Sequence, residues 1–150
     1  MRVALVGCGN IAARYARTTV ADPSLQLAGA TDVVPGRAGE LVAEFGGTEY
    51  PTLDALLADE AVDTVVNLTA PQAHAEVTAR SLEAGKHVHT EKPLALRYED
   101  AKELVALAER RGMRLSAAPA SLLGEAQQTA WKLVRDGAIG EVRVAYAEAN

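Results

Sequence analysis

The stretch Val6-Gly7-Cys8-Gly9-Asn10-Ile11-Ala12 constrains this chain more than any other. It follows the short apolar run Arg2–Val6 and opens a helical pattern. The spacing is G-x-G-x-x-A, carried by Gly7, Gly9 and Ala12. Each position answers a steric or electrostatic demand. Gly7 permits a tight turn, Gly9 lets the backbone approach a pyrophosphate, and the small Ala12 lets helix and strand pack closely. A phosphate is then met by free N–H groups at the helix start, which assigns Asn10 and Ile11 to the same site. An acidic residue, Asp32 in "AGATD", falls about 20 positions later, at the end of the next apolar run. The alternative, a tight turn with a surface aspartate, lacks an account of why strand, glycines, helix and acid occur in this order.

The rest of the chain supplies the expected frame. "LQLAGATD", "DTVVNLT", "KHVHT" and "MRLSAA" read as strands. Between them "NIAARYARTTVAD", "GRAGELVAEFG", "HAEVTARSLEAG" and "YEDAKELVALAERRG" read as helices. Gly85 stands at a helix stop, and the last of these helices has acids early and arginines late, as the helix dipole favours. Alternation of this kind specifies an α/β fold, a doubly wound parallel sheet of Rossmann type. The end of the chain departs from it. "GEAQQTAWKLVRDGAIG" reads as a helix stopping at Gly137. After it, Val142, Val144 and Tyr146 alternate with Arg143, Ala145 and Ala147. Period two predicts a half-buried antiparallel strand, the start of a second, antiparallel-sheet domain. The expected organisation is a dinucleotide-binding domain over 1–120, then a connecting helix and first strand over 121–150. An unpaired apolar strand offers an edge to another copy. The tail is therefore expected either to lack order or to mediate homo-oligomerisation through the C-terminal strand.

Composition excludes several function classes. Of the 150 residues 49% are hydrophobic and 23% charged, a globular balance rather than a disordered one. The net charge of −5, with no basic run, argues against a nucleic-acid partner. No apolar stretch nears the roughly 18 residues of a membrane span, and the N-terminus does not read as a signal peptide. Cys8, the one cysteine, has no partner for an intramolecular disulfide, which fits a reducing cytoplasm. A thiol at a helix start can have a lowered pKa; the simpler reading is a small residue that fits the loop.

The set "VGCGNIA", "TD", "NLTAPQAHAEV" and "EKPLAL" resembles the Gfo/Idh/MocA oxidoreductases, the family of glucose-fructose oxidoreductase and inositol dehydrogenase. The resemblance covers nearly the whole chain, and "AGKHVHTEKP" is its most specific element. It implies that Lys92 lies at the reaction centre, where an ammonium would stabilise negative charge on the reacting oxygen. Glu91 would orient the cofactor or the lysine, and Pro93 would fix the turn. Thr69 and Pro71 would line the nucleotide. His74 would sit near it at a helix start, as a cap or packing residue sooner than a catalyst. His87 and His89 read as strand residues, with no metal implied. The segment "AAPASLLGEAQQTAWKLV" departs from the Asn- or Arg-rich motif of many members, which leaves substrate preference open. The family's second acid/base group, usually a histidine in the substrate domain, has no counterpart here. The resemblance thus suggests a truncated or dissected enzyme, or a divergent short member.

The implied function is hydride transfer between nicotinamide and a secondary alcohol of a sugar, cyclitol or similar polyol. The alternative, from another class, is a non-catalytic NAD(H)-binding or sensing module that assembles with another chain. Asp32 favours NAD over NADP, because a carboxylate accepts from ribose hydroxyls and repels a 2′-phosphate. Arg37 could pair with such a phosphate or be a solvated helix residue, and both readings stay open.

Overall fold

The computed structural model describes residues 1–146 and 148. Six parallel strands form one sheet: β1 (Arg2–Val6), β2 (Gln26–Thr31), β3 (Thr48–Glu49), β4 (Thr64–Asn67), β5 (His87–Thr90) and β6 (Leu115–Ala117). Their spatial order is β3-β2-β1-β4-β5-β6. All five pairings are parallel, so each return to the sheet passes over a face, and both faces carry helices. The helices are α1 (Ala12–Ala21), α2 (Arg37–Phe45), α3 (Leu53–Ala58), α4 (His74–Glu83) and α5 (Tyr98–Arg111). This is the doubly wound Rossmann arrangement expected from the alternation.

Strand periodicity divides the core. Val3 and Leu5 point to one side of β1 and pack with Ala12 and Ala16 of α1 and Leu41 of α2. Ala4 and Val6 point to the other and pack with Leu56 of α3, Val65 of β4 and Val77 of α4. Both sides of β1 are thus dry, which is why "RVALV" is apolar throughout rather than alternating. A third cluster, Leu82, Val88, Leu104 and Ala108, closes the sheet at β5. Gly85 ends α4 with φ 75°, and the following Lys86 N–H donates back to Ser81 O at 3.0 Å.

Two elements escaped the sequence reading, β3 and α3. The signal for α3 was Thr52, whose Oγ1 accepts from Ala55 N–H at 3.1 Å as an N-cap. β3 is two residues long and exposed, too short to show a periodicity.

The chain divides into two compact units, Met1–Ala118 and Pro119–Asn150. The second contains a 3-10 turn (Ala120–Leu123) and α6 (Glu125–Arg135), with Gly137 just past the helix end as expected. The expected strand does not form over residues 141–146, which pair with no strand and have no regular secondary structure. Val142, Val144 and Tyr146 are exposed. Period-two patterning prepares two faces but supplies no hydrogen-bond partner, and a strand exists only beside a neighbour. The remainder of that expected strand includes Ala147, Ala149 and Asn150, which lie outside the described residues.

Candidate functional site

Strand order reverses at β1, which lies between β2 and β4. Loops leaving the carboxyl ends of β1 and β4 run to opposite sides, and the crevice between them is where open α/β sheets take ligands. The candidate cofactor-binding and catalytic residues all follow the carboxyl end of a strand: Gly7 to Ala12 after β1, Asp32 after β2, Thr69 to His74 after β4, and Glu91 and Lys92 after β5.

Gly7 donates its N–H to Thr31 O at 2.9 Å with φ 92°. A Cβ there would lie 2.8 Å from the backbone of Leu68 and Thr69, so only glycine lets the first loop press against the loop after β4. Gly9 faces open space, and Gly9, Asn10 and Ile11 are exposed. Their N–H groups have no acceptor among the described residues. Ala12 is fully buried against β1, the close helix–strand contact that its size permits. Free donors, an open approach and a helix start give the loop what a pyrophosphate requires.

Asp32 is tied to this loop. One carboxylate oxygen accepts from Cys8 N–H at 2.6 Å and the other from Val34 N–H at 2.7 Å. Each oxygen keeps a second lone pair, and the residue is half-buried, so it retains capacity for hydroxyl donors. The same aspartate bears on Cys8. Its thiol is pushed up to about 11, by burial first and then by the charge of Asp32, against a smaller opposite pull from Arg37. Both influences disfavour the thiolate, which agrees with the reading of Cys8 as a small residue that fits the loop.

After β4, Asn67 is completely buried. Its amide donates to His74 O at 3.1 Å and Thr78 Oγ1 at 3.2 Å, and its carbonyl accepts from Thr69 N–H at 3.2 Å and Thr69 Oγ1 at 2.6 Å. Thr69 is half-buried, and Pro71, exposed, opens a 3-10 turn over Pro71–Ala73. His74 is 1% exposed, with Nδ1 2.6 Å from Pro93 O and Nε2 2.9 Å from Thr69 O. Each ring nitrogen faces a backbone carbonyl oxygen, and a neutral imidazole, with one N–H, donates to one of the two. His74 thus bridges the loop after β4 and the turn after β5.

The "EKP" turn is held on three sides. Glu91 N–H donates to Asn67 O at 2.9 Å. Glu91 Oε1 accepts from Tyr15 Oη at 2.7 Å, and Oε2 from Lys92 N–H at 3.1 Å. The Lys92–Pro93 peptide is cis. Lys92 is exposed, and its ammonium forms no ion pair among the described residues. The Glu91–Lys92 surface ion pair that a plain reading of the tripeptide would suggest is therefore absent there, and the carboxylate is engaged elsewhere. His87 and His89 are both half-buried strand residues. Tyr15 and Asn67, which complete these contacts, and Ser116, whose Oγ lies 2.9 Å from His89 Nδ1, were not visible in the sequence. The one available cue was an asparagine ending the apolar run "TVVN".

The family model described as "Oxidoreductase family, NAD-binding Rossmann fold" (GFO_IDH_MocA) matches residues 1–118. The chain belongs to the Gfo/Idh/MocA oxidoreductase family. Its first 118 residues are the family's NAD(P)-binding Rossmann domain. This Gfo/Idh/MocA chain is 33% identical over 144 residues to dTDP-3,4-didehydro-2,6-dideoxy-alpha-D-glucose 3-reductase of Actinomadura kijaniata, covering 95% of the chain and 43% of that protein. It is 35% identical over 116 residues to UDP-N-acetylglucosamine 3-dehydrogenase of Acidithiobacillus ferrooxidans, covering 77% and 36%. Among solved structures, a 3-ketoreductase from Actinomadura kijaniata in complex with TDP-benzene and NADP superposes with TM-score 0.86 at 33% identity, over 95% of this chain and 46% of that one. GenD2 from gentamicin A biosynthesis, in complex with NAD, gives TM-score 0.86 at 32% identity, over 92% and 40%. The chain spans less than half the length of these relatives.

The state of Cys8 has a direct readout. Alkylation should be slow near neutral pH and accelerate only as the pH approaches about 11, and Asp32→Ser should move that rise to lower pH by removing a nearby negative charge. A rate rise centred near about 8.5, the value of a free thiol, would contradict the geometry.

Proposed function

We propose that this domain holds NAD(H) for an oxidoreductase acting on a secondary alcohol, or the matching ketone, of a sugar, cyclitol or similar polyol. The observation that carries this reading is the ammonium of Lys92, which has no ion-pair partner among the described residues and sits on a turn braced against the loops that fit a dinucleotide. The named relatives act on nucleotide-linked sugars, which supports the substrate class.

In this reading the free N–H groups of Gly9, Asn10 and Ile11 meet the pyrophosphate, and Asp32 accepts from the adenosine ribose. Thr69 and Pro71 line the nucleotide beside them. The bound nicotinamide supplies the hydride donor or acceptor. Lys92 donates to the reacting oxygen and offsets the charge that grows there; a group whose hydrogen bond strengthens along the reaction accelerates it. Glu91 keeps its carboxylate off the Lys92 ammonium and leaves that charge undivided. The substrate's second wall and a second acid/base group come from outside these 150 residues. Self-association through the exposed Val142, Val144 and Tyr146, and a cytoplasmic site suited to the single Cys8, belong to the same proposal.

The cofactor preference follows from charge. NADH should bind more tightly than NADPH, and Asp32→Ser should narrow the ratio by about 1.5–3 kcal/mol, on the order of ten- to a hundredfold. The ratio is the right quantity, because loss of the tie to Cys8 weakens both cofactors alike. A wild-type preference for NADPH, read by calorimetry, would transfer the specificity role to Arg37.

For Lys92 the expected signature is a split between steps. Lys92→Ala in the full-length enzyme should lower turnover by about 100-fold or more while leaving NADH affinity nearly unchanged. Near-normal turnover would reduce the "EKP" segment to a structural turn.

A further inference from the structure

Tyr15 lies on the first turn of α1, and its phenol reaches across to the end of β5. It is half-buried, with its ring centroid 6.0 Å from that of His89. Three hydrogen bonds line up here. Tyr15 Oη is 2.7 Å from Glu91 Oε1 and 3.4 Å from His89 Nε2, and His89 Nδ1 is 2.9 Å from Ser116 Oγ on β6.

The directions of these bonds can be deduced. Burial, the hydrogen bond to Glu91 and the charge of Glu91 push the Tyr15 phenol up to about 12, so it keeps its proton near neutral pH. Burial lowers His89, against a smaller opposing effect of Glu91, so the imidazole is neutral there and has a single N–H. A carboxylate only accepts, and the Tyr15 proton therefore goes to Glu91. The phenol oxygen is then left as acceptor, which puts the imidazole proton on Nε2 and frees Nδ1 to accept from the Ser116 hydroxyl. Every donor in the line Ser116–His89–Tyr15–Glu91 points the same way. Bonds aligned in this manner polarise and strengthen one another.

The consequence concerns a neighbour in sequence. Glu91 precedes Lys92, and a freely rotating carboxylate there would compete for the lysine ammonium. In the structure one carboxylate oxygen is taken by Tyr15 and the other by the Lys92 backbone N–H. We propose that Tyr15 is a positioning residue, which with His89 and Ser116 behind it pins the Glu91 carboxylate and so keeps the Lys92 ammonium free for the reacting oxygen. This inference rests on the proposed role of Lys92, and it adds three residues to the site that make no contact with the reacting groups.

The test has two parts. In the unmutated chain, long-range proton–nitrogen NMR of the imidazoles should find His89 protonated at Nε2 and bare at Nδ1, and the Tyr15 ring signal, identified by its loss in Tyr15→Phe, should titrate at lower pH in Glu91→Gln. In the full-length enzyme, Tyr15→Phe should reduce turnover by about tenfold, the scale of a hydrogen bond to a charged group, with NADH affinity held within about twofold. Added to Glu91→Gln, it should cause no further loss, since a neutral amide has no charge with which to capture Lys92. His89 protonated at Nδ1, additive losses in the double variant, or normal turnover in Tyr15→Phe would each overturn the inference. If Lys92→Ala is impaired while Tyr15→Phe is normal, only the positioning role falls. If both are normal, the reading of Lys92 falls with it.

Discussion

The site depends on the buried amide of Asn67. An amide sealed from water must find partners for its donors and its acceptor, or the desolvation cost goes uncompensated. Asn67 finds four within the loop and helix that follow it, and its backbone oxygen takes the Glu91 N–H. Satisfying one side chain therefore fixes the path of Thr69, the start of α4 and the level at which the chain leaves β5. His74 repeats the constraint a layer further out, joining Thr69 to Pro93 through its two ring nitrogens. Gly7 closes the assembly from the other side, because only a residue without Cβ can approach Leu68 and Thr69 so closely. Three loops that come from separate strands thus behave as one surface.

The two ends of the sheet are built differently. At the amino ends, Lys86 is 6% exposed and its ammonium donates to the carbonyls of Asp59 and Val62, at 2.7 and 2.9 Å. This is a closed structural clasp. At the carboxyl ends, the N–H groups of Gly9, Asn10 and Ile11 and the ammonium of Lys92 are left exposed, while the carboxylates of Asp32 and Glu91 are anchored by backbone N–H groups and a phenol. Donors are open and acceptors are restrained, which suits a polyanionic dinucleotide and a reaction that builds negative charge on oxygen.

How much of this could be read beforehand depended on the range of the interaction. Gly7, Gly9, Ala12 and Asp32 were legible because their demands are local: a turn, a close approach, a helix start, a strand end. The role proposed for Lys92 rests on resemblance alone, since a Glu-Lys-Pro tripeptide by itself looks like a surface turn. Tyr15 and Ser116 were not legible. Tyr15 meets Glu91 across 76 positions, and a tyrosine on an amphipathic helix gives no hint of that partner. The partners of His74 were hidden for the same reason, as they are backbone carbonyls without sequence identity. The strand expected over 141–150 is the opposite case, unpaired over 141–146: its pattern is plain, but pattern does not create a pairing partner.

The central claim is that one dinucleotide surface is assembled from loops at the carboxyl ends of β1, β2, β4 and β5. Titrating NADH into the isotopically labelled 150-residue chain and following its backbone amides tests it most directly. The account predicts shifts at Gly9 to Ala12, Asp32 to Val34, Leu68 to Ala70 and Glu91 to Lys92, and silence at Ala61, Val62 and Lys86 on the opposite end of the sheet. Shifts centred on that opposite end, or none at all, would contradict it.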